Sequence, residues 1–397
     1  MARLTDMLGL ISKLQSPKIT VHQERCVLVR NGNADCLRCA QACTAGCIAY
    51  DGESLTVSPE RCIGCGTCAT VCPTCALEAH HPGDAALLAA CQQAGALMEG
   101  VVPIGCGQLL DQAAGRYDEE KIVRVECLGR VDESLLTFCA TQGAREVTLI
   151  HGDCASCAYG TGRACVEEVC STERVLMEAW RTPLELRLTT KLPAAAKRLE
   201  GADHDAGRRA LFAEGGRRAA RAGALVVEET VADALGEQGG EEAPLPRYTK
   251  VMDDGTLPHF VPDRRERLLD FLADLGEPAD VMVDTRLWGH VIIDTERCLS
   301  CQMCATFCPT AALTKFEEPD GTMGVDHRPA DCVKCRTCEA ICPADAIEIS
   351  EEVFARDLMA GVTDRYVMKG RPIKHGTPHT IWRTAQTMMA TDQVYER

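Results

Sequence analysis

The sequence predicts an α+β cysteine module at each end of the chain and, between them, an α/β domain built on a parallel sheet. Three observations predict it. The 26 cysteines fall into three blocks: ten between Cys26 and Cys75, eight between Cys91 and Cys170, and eight between Cys298 and Cys342. The outer blocks space their cysteines two and three residues apart. The middle block scatters them among alternating strand-like and helical stretches. These changes divide the 397 residues into segments 1–82, 83–182, 183–288, 289–350 and 351–397.

So many cysteines serve either disulfides in an oxidising compartment or metal in a reducing one. Disulfide scaffolds are usually small, and this chain is long. Its N-terminal stretch MARLTDMLGLISKLQ carries Asp6 where an export signal needs an apolar core, and no cleavage site follows. No apolar run approaches the roughly 18 to 20 residues that a bilayer requires. The net charge of −16 repels phosphate backbones and anionic lipid, so nucleic acid and membrane surfaces are not expected partners. A cytoplasmic, metal-built protein is the expectation.

The first segment holds one regular run, CIGCGTCATVCP at 62–73, and one irregular stretch, CVLVRNGNADCLRCAQACTAGC at 26–47. The last cysteine block supplies the reference for both. It contains CLSCQMCATFCP at 298–309 and CVKCRTCEAICP at 332–343, each C-x2-C-x2-C-x3-C-P. Three thiolates two residues apart wrap one cubane on a tight loop, and the displaced fourth cysteine, stopped by proline, faces a second cubane. One [4Fe–4S] cluster is thus assigned to Cys298, Cys301, Cys304 and Cys342, the other to Cys332, Cys335, Cys338 and Cys308. Zinc prefers two separated C-x2-C pairs and fits this paired run poorly.

In the first segment, Cys43-Thr-Ala-Gly-Cys-Ile aligns with Cys72-Pro-Thr-Cys-Ala-Leu and Cys308-Pro-Thr-Ala-Ala-Leu. Cys43 then stands fourth, Cys39 third, Cys36 second and Cys26 first, the last set off by the nine residues VLVRNGNAD, whose Asn-Gly-Asn is turn material. The preferred assignment gives one cluster Cys26, Cys36, Cys39 and Cys72, and the other Cys62, Cys65, Cys68 and Cys43. Cys47 and Cys75 are then spare. The alternative takes Cys36, Cys39, Cys43 and Cys47 as a self-contained set and leaves Cys26 unused. Both outer modules, over about 19–80 and 290–350, resemble the bacterial two-cluster [4Fe–4S] ferredoxin family. The resemblance implies ferredoxin-like α+β folds, four [4Fe–4S] clusters and electron transport.

The middle segment shows apolar runs GVVPIG (100–105), KIVRVE (121–126) and EVTLIH (146–151), with helical stretches such as ESLLTFCATQG (133–143) between them. That alternation indicates βαβ units and a parallel sheet. Cysteines follow the strands directly: Cys106, Cys127, and Cys154 with Cys157. In open parallel sheets ligands bind beyond the carboxyl ends of the strands, so these four thiols are expected to share one site. Cys91 and Cys139 sit in helical patterns and read as core. Cys165 and Cys170 form a rival set with Cys154 and Cys157.

The stretch VECLGRVDESLLTFCATQGAREVTLIHGDCASCAYGTG resembles the iron–sulfur delta subunit of methyl-viologen-reducing hydrogenase, most closely at Cys127-Leu-Gly-Arg-Val. In place of that family's Cys-His-Tyr and following Gly-Asn stands Cys157-Ala-Tyr-Gly-Thr-Gly. The resemblance implies a [2Fe–2S] cluster and electron exchange with hydrogenase, dehydrogenase or flavin-containing reductase subunits.

Between 183 and 288, an Ala-, Arg-, Glu- and Gly-rich stretch reads as linker. VPDRRERLLDFLADLG reads as one amphipathic helix whose stripe of Leu268, Leu269, Phe271, Leu272 and Leu275 packs on a neighbour. GTGR at 160–163 lacks a third glycine, so no dinucleotide site is expected. The sequence points to a subunit that carries electrons in anaerobic metabolism. The reading kept beside it is an oxidoreductase whose middle cluster or Cys154/Cys157 dithiol is itself catalytic.

Overall fold

The computed structural model describes residues 18–198, 252 and 255–369. The N-terminal stretch and most of the expected linker lie outside these residues. The N-terminal module is framed by an outer strand pair and an inner hairpin. β1 (Ile19–Val21) leads through helix α1 (Val27–Arg30) and helix α2 (Arg38–Gln41) into β2 (Ile48–Tyr50) and β3 (Leu55–Val57). Helix α3 (Thr67–Val71) follows, and β4 (Leu77–Ala79) returns to pair antiparallel with β1, Ile19 opposite Ala79. The β2–β3 turn is set by Asp51, whose Oδ1 accepts from the backbone N–H of Glu53 and Ser54 at 2.9 and 2.7 Å.

The middle domain follows with helix α4 (Asp84–Leu97), β5 (Val101–Cys106), helix α5 (Gly107–Gln112) and β6 (Val123–Val125). Helix α6 (Glu133–Thr141), β7 (Glu146–Ile150), helix α7 (Thr161–Ala179) and β8 (Glu185–Thr189) complete it. The four strands form one parallel sheet in the order β6-β5-β7-β8. Ile104, Val125, Val147 and Leu149 are almost wholly buried, as expected of strands covered by helices. Leu87 of α4, Leu136 of α6, and Val166 and Val169 of α7 close over them. Asp132 caps α6, its Oδ1 accepting from Leu135 N–H at 3.0 Å. The sheet runs past the expected boundary at 182, because β8 supplies its edge.

Helix α8 (Asp263–Leu275) buries Leu268 and Leu272 against Ala140, Leu176, Met177 and Trp180 of the middle domain. Phe271 meets Phe138 with ring centroids 5.3 Å apart. Its apolar stripe therefore faces a neighbouring domain of the same chain. β9 (Met282–Asp284) leads into the C-terminal module. That module repeats the scheme of the first: β10 (His290–Ile293), helix α9 (Met303–Phe307), the hairpin β11 (Leu313–Glu317) and β12 (Met323–His327), helix α10 (Thr337–Ala340) and β13 (Ile347–Ser350), which pairs with β10. β14 (Glu352–Phe354) pairs with β9. Helix α11 (Ala355–Ala360) then brings β15 (Asp364–Met368) onto the free side of β12. Residues 352–368, expected as tail, are thus part of the packed module. Among the described residues, no helix is long and apolar enough to cross a membrane.

Candidate iron–sulfur centres

The three regular runs share a backbone that few side chains adopt. The residues on either side of the second cysteine are left-handed in each: Gly64 and Gly66, Ser300 and Gln302, Lys334 and Arg336, with φ between 52° and 77°. For a residue with a Cβ this conformation costs on the order of 1–2 kcal/mol. Only the first run meets the demand with glycine. Such strain persists where surrounding structure enforces it, and it clusters at ligand clamps. Wrapping the loop this way turns the cysteines inward and leaves backbone N–H groups aimed at sulfur, as in Ser300 N to Cys298 Sγ at 3.4 Å.

The fourth cysteines also share a signature. Three residues after Cys43, Cys72, Cys308 and Cys342 stands a left-handed residue: Gly46, Cys75, Ala311 and Asp345. The next N–H donates back to sulfur in three of the runs: Cys47 to Cys43 at 3.4 Å, Ala76 to Cys72 at 3.2 Å and Ala346 to Cys342 at 3.3 Å. Cys43 thus has the same local geometry as its counterparts, without the proline. The stretched run differs at its start. Val27–Arg30 forms a short helix, Asn31 Oδ1 accepts from Asn33 N–H at 3.0 Å, and Leu37 has an ordinary negative φ.

The thiols gather into groups. Burial raises Cys39 to about 12, and nearby Cys72, Cys26 and Cys36 add to the rise. Cys26 is lifted to about 11 by burial, with Cys72 and Cys36 contributing. Cys26, Cys36, Cys39 and Cys72 therefore lie together. Cys68 is raised by burial and by Cys65, Cys39, Cys62 and Cys43, which places Cys43 with the regular run. In the C-terminal module Cys304 is raised by burial and by Cys301, Cys298 and Cys342. Cys338 is raised by burial, Cys335, Cys332, Cys304 and Cys308.

At the carboxyl edge of the parallel sheet, Cys106 ends β5 and its sulfur accepts from Gly152 N–H at 3.2 Å. Cys127 follows β6. Burial raises it to about 12, with Cys65, Cys106 and Cys157 adding to the rise. Cys154 is raised by burial and by Cys106 and Cys157, while Arg163 pulls the other way. These four thiols share one edge. The rival set does not assemble: Cys170 packs in the core beneath the sheet, and Cys165 is buried with its sulfur 3.7 Å from Gly129 O. Cys91 and Cys139 sit in that core beside each other. Cys75 receives the Arg264 guanidinium at 3.6 Å. Cys47, spare in the preferred assignment, has its sulfur 3.4 Å from Cys43 Sγ and also neighbours Cys62.

The groups adjoin one another. Cys304 neighbours Cys338, Cys335 neighbours Cys36, Cys39 neighbours Cys68, and Cys65 neighbours Cys127. Arg38 Nη2 reaches Lys334 O at 3.3 Å, tying the two outer modules where Cys36 and Cys335 meet. All 26 cysteines are free, as a metal site needs and a disulfide framework does not. Thiols packed in fours repel as thiolates unless a cation sits among them, and a metal ion deprotonates the thiols it binds. The donor set fits iron.

Cysteine groups on such loops suit iron–sulfur modules, and two segments of the chain match families of that kind. Residues 292–346 match the 4Fe-4S dicluster domain family, a range that contains all eight C-terminal cysteines. Residues 55–78 match the 4Fe-4S binding domain family, which takes in Cys62 to Cys75 and leaves the stretched run outside. No curated protein and no solved structure matches the chain. The two matches, with the cysteines, give the chain iron–sulfur clusters and an electron-transfer role.

Proposed function

We propose that this chain is a multi-cluster electron relay, a subunit of an anaerobic oxidoreductase complex. It would pass electrons between a hydrogenase- or dehydrogenase-type subunit and a flavin-containing or heterodisulfide-reductase-like one. Four [4Fe–4S] clusters are assigned to the four cysteine sets of the outer modules, and one [2Fe–2S] cluster to Cys106, Cys127, Cys154 and Cys157. The observation that carries the reading is the unbroken succession of five thiol groups through one body. Both of its ends reach the surface, at exposed Cys301 and at half-exposed Cys154 and Cys157. Such clusters, when bound, supply one-electron carriers whose potentials follow charge, hydrogen bonds to sulfur and exposure. The chain's own residues set those levers: the N–H groups of Ser300, Ala76, Ala346 and Gly152 point at sulfur, and burial keeps water from the inner groups. The acidic net charge favours docking to a basic partner.

Anaerobically prepared protein is expected to carry about 18 irons, four in each of four cubanes and two in the smaller centre, and to give paramagnetic signals after dithionite. Zinc in place of iron, or no signal on reduction, overturns the reading. Untagged isolation from the native host is expected to bring redox subunits with it. A second reading, favoured by the partial exposure of Cys154 and Cys157, makes the middle site catalytic. Turnover of a substrate by the isolated monomer with only a chemical reductant would support it.

A further inference from the structure

Away from the cysteines, three strands bring together two histidines and a carboxylate that are far apart in sequence. His290 opens β10, His327 closes β12 and Asp364 opens β15. His327 and Asp364 are direct register partners, so their side chains share a face. Tyr366 Oη donates to Val291 O at 2.7 Å and holds β15 against β10. Asp364 Oδ2 lies 3.2 Å from His290 Nε2 and 3.8 Å from His327 Nδ1. The two imidazoles stack 18° from parallel with centroids 5.5 Å apart, and one ligand atom from each of the three residues lies within 4.8 Å of the others.

His327 is what needs explaining. It is 0 % exposed, and neither ring nitrogen has a hydrogen-bond partner. Buried polar groups are rarely left so, and an orphan of this kind calls for a cause such as a bound ion. Burial, and next the neighbouring His290, lower its pKa to about 3. The ring is therefore neutral at physiological pH, with a nitrogen lone pair to offer. Arg365, next to Asp364, is turned to Asp326 and Glu318 at 2.8–2.9 Å and does not neutralise the Asp364 carboxylate.

We propose that His290, His327 and Asp364 bind one divalent transition-metal ion of the zinc class, which clips β10, β12 and β15 together. Two imidazoles and a carboxylate suit zinc and its first-row neighbours; calcium and magnesium want oxygen alone, and copper(I) wants sulfur. A tetrahedral site with bonds of about 2.0–2.1 Å sets its ligand atoms roughly 3.3 Å apart, close to the 3.2 Å between Asp364 and His290 and shorter than the 3.8 Å between Asp364 and His327, which the ion would draw in. The fourth position falls to water.

The test uses full-length, iron-loaded protein prepared anaerobically, given one equivalent of zinc sulfate and passed through gel filtration. Wild type is expected to retain one zinc per chain with its iron content unchanged, while Asp364→Asn and His290→Ala retain none. Both variants alter half-buried residues and leave the buried His327 in place, and Asp364→Asn preserves shape. X-ray absorption at the zinc edge is expected to show nitrogen and oxygen neighbours only. Wild type that retains no zinc, Asp364→Asn that retains as much as wild type, or a sulfur shell at about 2.3 Å placing the zinc on cysteine would each overturn the proposal.

Discussion

Arg286 holds Glu133 through two parallel hydrogen bonds, Nε to Oε1 at 2.6 Å and Nη2 to Oε2 at 2.7 Å. Its Nη1 reaches Thr70 O at 3.3 Å, so one guanidinium ties the N-terminal module, helix α6 and the approach to the C-terminal module. Glu133 is 2 % exposed. Arg286→Ala leaves that buried carboxylate without its hydrogen-bonded partner, with only the nearby Arg265 to offset its charge, and is expected to cost up to about 3–5 kcal/mol. Anaerobic urea denaturation is expected to show a clearly lowered midpoint. Arg286→Lys is expected to recover little of it, because a single ammonium cannot reproduce the paired geometry.

The stretched run makes two residues decisive. With Cys26 in the set, Cys26→Ser removes about four irons from the protein and Cys47→Ser removes none. Iron analysis of the two variants reads this directly. The opposite pattern would mean that Cys36, Cys39, Cys43 and Cys47 form the set, a choice that the 3.4 Å separation of the Cys43 and Cys47 sulfurs makes worth measuring.

Gly162 lies in the first turn of α7, where alanine would ordinarily favour the helix by up to about 1 kcal/mol. A methyl group there would sit 2.2 Å from Cys127 Sγ, far inside contact distance. The clash wins because the sulfur must move. Gly162→Ala is expected to lose the iron signal of the middle site while the signals of the outer modules persist. A variant that keeps all its iron would remove Cys127 from that site.

Glu173 is wholly buried, and burial raises its pKa well above the ordinary 4.5, with Glu133, Cys139 and Asp132 adding to the rise and the Thr137 hydroxyl opposing it. The folded chain keeps this proton where the unfolded chain has released it. The contribution of Glu173 to stability is therefore fullest below pH 4.5 and falls as pH rises toward the folded value, by up to about 1.4 kcal/mol per pH unit. Glu173→Gln cannot release a proton. Urea midpoints compared at about pH 6 and about pH 8 should show the wild type losing ground to the variant as pH rises. A constant gap between the two would mean the carboxyl is already ionised in the fold.

The sequence carried local information faithfully and distant pairing hardly at all. Cysteines spaced by two residues announce a wrapping loop, and GVVPIG, KIVRVE and EVTLIH announce buried parallel strands, because spacing and apolar runs are local properties. ELRLT at 185–189 is only five residues long and adjoins the Ala-, Arg-, Glu- and Gly-rich stretch, so it falls in the segment expected as linker. Only its parallel partnership with β7 makes it a strand of the sheet. DRYVM at 364–368 read as tail for the same reason. His290, His327 and Asp364 have no spacing signature at all, since the registers of separate strands bring them together. The succession of thiol groups from one module to the next was equally hidden, because it depends on how Arg38 and Lys334 seat two distant modules on each other.

β15 lies along β12 over five register pairs, from Met323 opposite Met368 to His327 opposite Asp364. A fragment ended at residue 350, as the cysteine spacing alone would invite, strips that strand away. The uncovered edge then offers a row of unanswered peptide groups to any other chain, and such edges template self-association. Isolated in that form, the eight-cysteine segment would be expected to aggregate however well its thiols were supplied with iron.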